Sequence, residues 1–303
     1  MRLDDEQEST NFEDRTGQGS RGQRSGGGFG FPGGGGGLPV GGKMGCGTVV
    51  IMIIAGLIFG VNPADMMGGG EQAPTQQLGP QQAGQPGADA STIDPKVRSI
   101  VLKVLGSTER RWTDMFGAAG QKYRPTTLVF YSDNNQSGCG AAQAAMGPFY
   151  CPADEGIYLD VTFFNELATR FKAGGDFAAA YVIAHEVGHH IQKITGLADQ
   201  VRQKQARASQ VEGNQLQVRM ELQADCYAGV WAARDTNLME PGDAEEGLRA
   251  AQSIGDDTLQ KQSQGFVVES AFTHGSAEQR MRWLKRGLTT GDPNQCDTFS
   301  GRI

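Results

Sequence analysis

Hydrophobic and polar positions divide the chain into stretches of different kinds. Residues 1–42 are rich in glycine and hold few large apolar side chains, so the segment 1–43 is expected to be disordered. Residues 44–61, "MGCGTVVIMIIAGLIFGV", carry no charge and no polar stripe. That length and all-round apolarity predict one membrane-spanning helix. Residues 62–94 return to Gly, Gln and Pro, the composition of a flexible linker. From 95 to 303 the pattern becomes that of a folded domain of about 200 residues, ample for one core.

Within that domain the periods give the elements. Val97, Ile100, Val101, Val104, Leu105 and Trp112 recur at helical spacing and predict a helix over 95–117. The run "TTLVFYS" (126–132) is β-branched and aromatic, bounded by Pro125 and "SDNNQSG", and predicts a strand followed by a loop. "GIYLDVTFF" predicts a second strand and 163–171 a short helix. A further helix is expected from Asp176, as N-cap, to Thr195, with Gly196 as its stop. A long polar helix or helix pair over 197–235 follows, then more helices, the last at 277–286. The class is α+β, mainly helical with a small sheet.

Charge and cysteine usage add direction. Lys43, Arg24 and Arg21 precede the apolar stretch, and no Lys or Arg follows it until Lys96. This asymmetry predicts a cytoplasmic N-terminus and an extracytoplasmic C-terminal domain, on the periplasmic side of the inner membrane. Four of the five cysteines, Cys139, Cys151, Cys226 and Cys296, fall in that domain, as two disulfides would require in an oxidising compartment. Three pairings exist. The short loop between Cys139 and Cys151, with Gly138 and Gly140, favours that pair, leaving Cys226 for Cys296. A net charge of −7 without a basic stripe argues against a nucleic-acid partner.

Three of the four histidines fall within six residues of "YVIAHEVGHHIQK" (181–193). His185 and His189 are four apart on the predicted helix, so their imidazoles can converge on one ion. Glu186 lies about 100° further round, placed to reach a water without binding the ion. This is the His-Glu-x-x-His arrangement of zinc hydrolases. Ala184 and Gly188 are small enough to let another element pack close. His190 points off the ligand face, toward solvent or a supporting role. Catalytic zinc takes three protein ligands plus water, and no third histidine follows at close spacing. "RMELQADCYAGVWAA" offers Glu221 and Asp225, also four apart. One of these carboxylates can bind the metal and the other can accept the free N–H of a ligating histidine.

"AHEVGHHIQ", "ELQAD" and "FTHGSAEQRMRWLKRG", with "GPFYCPADEGIYLD" and the N-terminal "MRLDDEQESTNFEDRTG", resemble the neutral zinc metallopeptidase family of bacterial membrane-anchored proteins over nearly the whole chain. The two helical motifs are also similar, more distantly, to gluzincins, including HtpX-like membrane peptidases. The resemblance implies a zincin-like domain with Zn2+ held by His185, His189 and Glu221, Asp225 as orienter, and Glu186 as general base. It implies a membrane-anchored endopeptidase acting on peptides or proteins. His274, in "THGSAEQR", resembles the downstream histidine segment of HtpX-like peptidases and is the expected donor to the oxyanion, with Arg280 and Arg282 as alternatives. "GIYLD" is the expected edge strand for substrate backbone. Two other readings stand beside this one: a non-catalytic, metal-stabilised, membrane-tethered interaction module, and a ligand set in which Asp225 replaces Glu221, as in aspzincins.

Overall fold

A computed structural model describes residues 1–16, 93–132, 134–143, 147–163, 175–235 and 237–303. The expected membrane span at 44–61, nearly all of the 62–94 linker and most of the 163–171 helix lie outside the described residues. Among the described residues no helix is long and apolar enough to cross a membrane.

The described elements are β1 (Phe12–Asp14), α1 (Pro95–Ala118), β2 (Thr127–Tyr131), β3 (Asn134–Ser137), β4 (Gly140–Gln143), β5 (Phe149–Cys151) and β6 (Gly156–Asp160). They continue with α2 (Asp176–Ile194), α3 (Leu197–Gln205), α4 (Gln210–Arg234), α5 (Asp243–Ser253), α6 (Asp256–Gln264) and α7 (Ala277–Thr290). Short 3-10 turns sit at Glu269–Ala271 and Pro293–Cys296. The mixed, mainly helical architecture with a small sheet is the expected one.

Local chemistry explains most boundaries. Asp94 accepts from the Lys96 and Val97 amides and Pro95 takes the first helical position, which starts α1. The Asp160 carboxylate accepts from the Thr162 amide and hydroxyl, turning the chain at the end of β6. The 197–235 stretch is a helix pair. It breaks before Ser209, which forms a capping box with Glu212 at the start of α4. The N-cap of α2 is Gly175 rather than Asp176. The Phe177 amide in the first turn of α2 is capped from a distance, donating to the Glu246 carboxylate on α5 at 2.9 Å. Sequence spacing carries no trace of such a partner.

The main sheet has the order β1-β2-β6-β5, with β1, β2 and β6 parallel and β5 antiparallel to β6. Every residue of β6 is buried. The "GIYLD" strand is therefore not an edge strand, as the sequence suggested, because β2 and β5 occupy both its sides. The edge next to the helical layer is β5. Helix α2 packs on α1, α4 and α5, and α4 packs in turn on α7. Phe130, Leu159, Phe177, Tyr181 and Trp231 are among the core side chains between the sheet and these helices. Both favoured disulfides form: Cys139–Cys151 ties the β3–β4 hairpin to β5, and Cys226–Cys296 ties α4 to the C-terminal turn.

The expectation of disorder over 1–43 fails for its first 16 residues. β1 pairs with β2 in the register Phe12↔Leu128 to Asp14↔Phe130. Ser9 is buried, its hydroxyl 2.7 Å from the Glu109 carboxylate, and Asn11 donates to the same group at 2.9 Å. The Met1 ammonium lies 2.8 Å from Glu240. Met1, Leu3 and Phe12 pack against the main core. Their apolar side chains are few and widely spaced, so no period marks them, and the partners that order them lie some 100 residues or more downstream. Deleting residues 1–16 is expected to lower the thermal unfolding midpoint by at least about 4 °C, the shift that roughly 1–2 kcal/mol produces in a domain of this size. Calorimetry of the deletion beside the intact chain checks this.

Candidate metal centre

The site forms where α2 crosses α4. Gly188 makes that crossing close: a Cβ there would lie 2.9 Å from the Ala224 Cα. The approach brings the His185/His189 face of α2 onto the Glu221/Asp225 face of α4. His185 Nε2 is 3.1 Å from one Glu221 oxygen and His189 Nε2 is 3.5 Å from the other. One ligand atom from each of these three residues falls within 4.8 Å of the others.

Both imidazoles are held from behind. His185 Nδ1 is 2.8 Å from Asp225 Oδ1, and His189 Nδ1 is 2.9 Å from Gln192 Oε1. An acceptor at Nδ1 keeps the proton there and leaves Nε2 free to bind an ion. Two imidazole nitrogens and one carboxylate, convergent and with both tautomers fixed, suit a tetrahedral divalent cation with one open position, the donor set of catalytic zinc. The chemistry of the residues therefore fits the metal.

Asp225 is 0 % exposed and sits at the centre of a buried network. It accepts from Tyr181 Oη at 2.6 Å, from Arg280 Nε at 2.9 Å and from Arg280 Nη2 at 2.8 Å, besides His185. Burial alone would raise its pKa, but the Arg280 guanidinium and His185 outweigh it and hold the carboxyl well below the usual range. Arg280 is thereby committed to Asp225 and is not available to an oxyanion, contrary to one alternative drawn from the sequence. Arg282, the other, is half-exposed and pairs with Glu278.

Around the ion-binding face the same competition recurs. Burial opposes ionisation of Glu221, yet the facing His189 and His185 hold it well below the ordinary carboxylate value. Burial would depress His189, yet Glu221 lifts it to about 9. Glu186 is buried, next along α2, with the Tyr150 backbone of β5 near its carboxylate. Burial is the main cause that raises its pKa.

His274 is partly exposed, with Nδ1 3.3 Å from Asp256 Oδ1. The Asp256 carboxylate also takes the backbone amides of Thr273, His274 and Gly275. His274 feels the charge of Glu221 but makes no hydrogen bond to the three convergent residues among the described contacts. His190 is not at the surface. It is fully buried, accepts from or donates to Tyr150 Oη at 3.1 Å and reaches the Arg124 carbonyl at 2.6 Å. Since that carbonyl can only accept, Nε2 carries the proton and Nδ1 accepts from Tyr150, which pins β5 beside Glu186.

Sequence reasoning missed Gln192 and Tyr181 as supports of the site, and left His190 between solvent and a supporting role. The available signal was position alone: Gln192 follows His189 by three and Tyr181 precedes His185 by four, both on the ligand side of α2.

The family model described as "Putative neutral zinc metallopeptidase" matches residues 1–299. The chain is 44% identical over 305 residues to "Uncharacterized protein YpfJ" of Escherichia coli (strain K12), an alignment covering 100% of both chains. It is 40% identical over 227 residues to "Uncharacterized protein Rv2575" of Mycobacterium tuberculosis (strain H37Rv), covering 71% of this chain and 73% of that one. No solved structure matches it. A match over almost its entire length, on a chain whose helices bring two histidines and a glutamate together, makes this protein a member of the neutral zinc metallopeptidase family.

Proposed function

We propose that the protein is a zinc-dependent endopeptidase in which His185, His189 and Glu221 hold the metal, Asp225 orients His185 and Glu186 is the general base. The observation that carries this is the convergence of both Nε2 atoms on the two Glu221 oxygens, with Glu186 buried beside them. Asp225 faces the Nδ1 side of His185 and Arg280, which supports Glu221 over Asp225 as the third ligand. Zinc, when bound, supplies the charge that lowers the pKa of water toward about 7 and polarises the scissile carbonyl.

The remaining steps belong to the chain. Glu186 takes the proton of the attacking water and later delivers it to the departing amine. β5, the outermost described strand on its side of the sheet, pinned by His190, offers its backbone to an extended substrate by strand addition. His274 is assigned to donate to the oxyanion. Its partner Asp256 outweighs the effect of burial and raises its pKa, favouring the donor form. The substrate is a peptide or unfolded protein segment. The two disulfides support an extracytoplasmic setting, and the apolar stretch 44–61 is the proposed membrane contact.

Glu186→Gln is expected to retain zinc while losing at least about 100-fold in chelator-sensitive cleavage of an unfolded protein, the lower end for general acid–base catalysis. Full activity in that variant would favour the non-catalytic module. Metal analysis separates the ligand assignments: Glu221→Ala empties the site, whereas Asp225→Asn weakens zinc affinity by about 10–100-fold. The reverse pattern would make Asp225 the ligand.

A further inference from the structure

Two buried glutamines continue the site away from the metal face. Gln192 is 0 % and Gln223 6 % exposed, and a buried amide is costly unless its groups are bonded. Gln192 Oε1 faces His189 Nδ1 at 2.9 Å, while its Nε2 donates to the Met220 carbonyl at 2.8 Å and to Gln223 Oε1 at 3.0 Å. Gln223 Nε2 donates in turn to the Cys296 carbonyl at 3.1 Å. Each amide's orientation is therefore fixed by the next. Reversing either one sets N–H against N–H or oxygen against oxygen. The last acceptor lies on a short 3-10 turn near the C-terminus, and the Cys226–Cys296 disulfide joins that turn to α4. Cys226 is three residues after Gln223, so the covalent link and the hydrogen bond run side by side between the same two elements.

We propose that Gln192 and Gln223 are positioning residues for His189, and that the Cys226–Cys296 disulfide anchors them, so the metal site reaches full affinity only in the oxidised protein. This rests on the zinc reading above. The relay does for His189 what Asp225 and Arg280 do for His185. It differs in ending on a bond that forms only under oxidising conditions. The chain would thus hold metal weakly before export and tightly after it.

The test is zinc affinity of the full-length protein, by competition with a chromophoric chelator. Gln192→Leu, Gln223→Leu and the double variant Cys226→Ser/Cys296→Ser are each expected to weaken zinc by about 10–100-fold. Cys139→Ser/Cys151→Ser is expected to leave it unchanged. Should the double variant fail to fold, stepwise reduction of the wild type gives the same answer. Zinc released before the near-UV circular dichroism is lost supports the relay; zinc retained until unfolding overturns it. Unchanged affinity in folded Gln192→Leu also overturns it. A wild type that binds no zinc in its oxidised form defeats the metal reading itself, a distinct result.

The docked N-terminus carries a second inference independently. Three separate anchors hold residues 1–16: the Met1 ammonium on Glu240 and Asp243, the Ser9 and Asn11 side chains on Glu109, and β1 on β2. A strand hydrogen-bonded to β2 cannot lie across a hydrocarbon layer of about 30 Å from it. We infer that residues 1–16 and 93–303 occupy the same side of the membrane. That placement stands against the opposite-side arrangement expected from the charge asymmetry. Single cysteines at the exposed positions Asp5 and Glu278 test this with a membrane-impermeant maleimide on intact cells. Asp5→Cys and Glu278→Cys are expected to label alike, both before or both only after permeabilisation. Labelling of one before permeabilisation and the other only after it overturns the inference.

Discussion

The structure depends on how buried charge is compensated where α2 meets α4. Glu221 and Asp225 are both buried, and each needs a positive or hydrogen-bonding partner that water cannot supply. For Asp225 the chain provides one outright, the Arg280 guanidinium on α7, with Tyr181 and His185 filling the remaining positions. For Glu221 the partners are the neutral Gln217 amide, which donates at 2.9 Å, and two imidazoles, whose charge depends on pH. A divalent cation removes that dependence, because it neutralises the carboxylate and binds both imidazoles in their uncharged form. The difference between the two carboxylates separates their surroundings: one is closed off by arginine, the other converges with two imidazoles in a group that could hold a metal ion.

The close helix crossing follows from the same requirement. Convergence of side chains from α2 and α4 demands backbones nearer than ordinary side chains permit, and Gly188 against Ala224 allows it. On the far side, α7 delivers Arg280 to the network. The sheet contributes less to the metal than to its surroundings. β5 is fixed by His190 through Tyr150 and stands beside Glu186, so an outer strand of the main sheet lies beside the proposed base.

What was legible in the sequence was whatever a local period encodes. The i, i+4 spacing of His185/His189 and of Glu221/Asp225 placed four residues on two helix faces, and the two faces meet. The apolar rhythm of α1 and the β-branched run of β2 were equally clear. Contacts between distant parts of the chain were not. Glu246 capping α2, Arg280 closing on Asp225 and Gln223 reaching Cys296 link positions tens of residues apart and leave no periodic mark. The edge strand was misjudged because β6 is apolar and motif-like, whereas the position of β5 depends on pairing order. Residues 1–16 read as disordered because composition reports what a segment can bury by itself. This one is held by surfaces supplied by α1, β2 and the loop before α5.

X-ray absorption at the zinc edge on the metal-loaded, oxidised protein tests the central claim most directly. The account predicts a first shell of nitrogen and oxygen near 2.0–2.2 Å, with multiple scattering from two imidazoles and no sulfur. A shell containing thiolate near 2.3 Å, or one without two imidazoles, would contradict it.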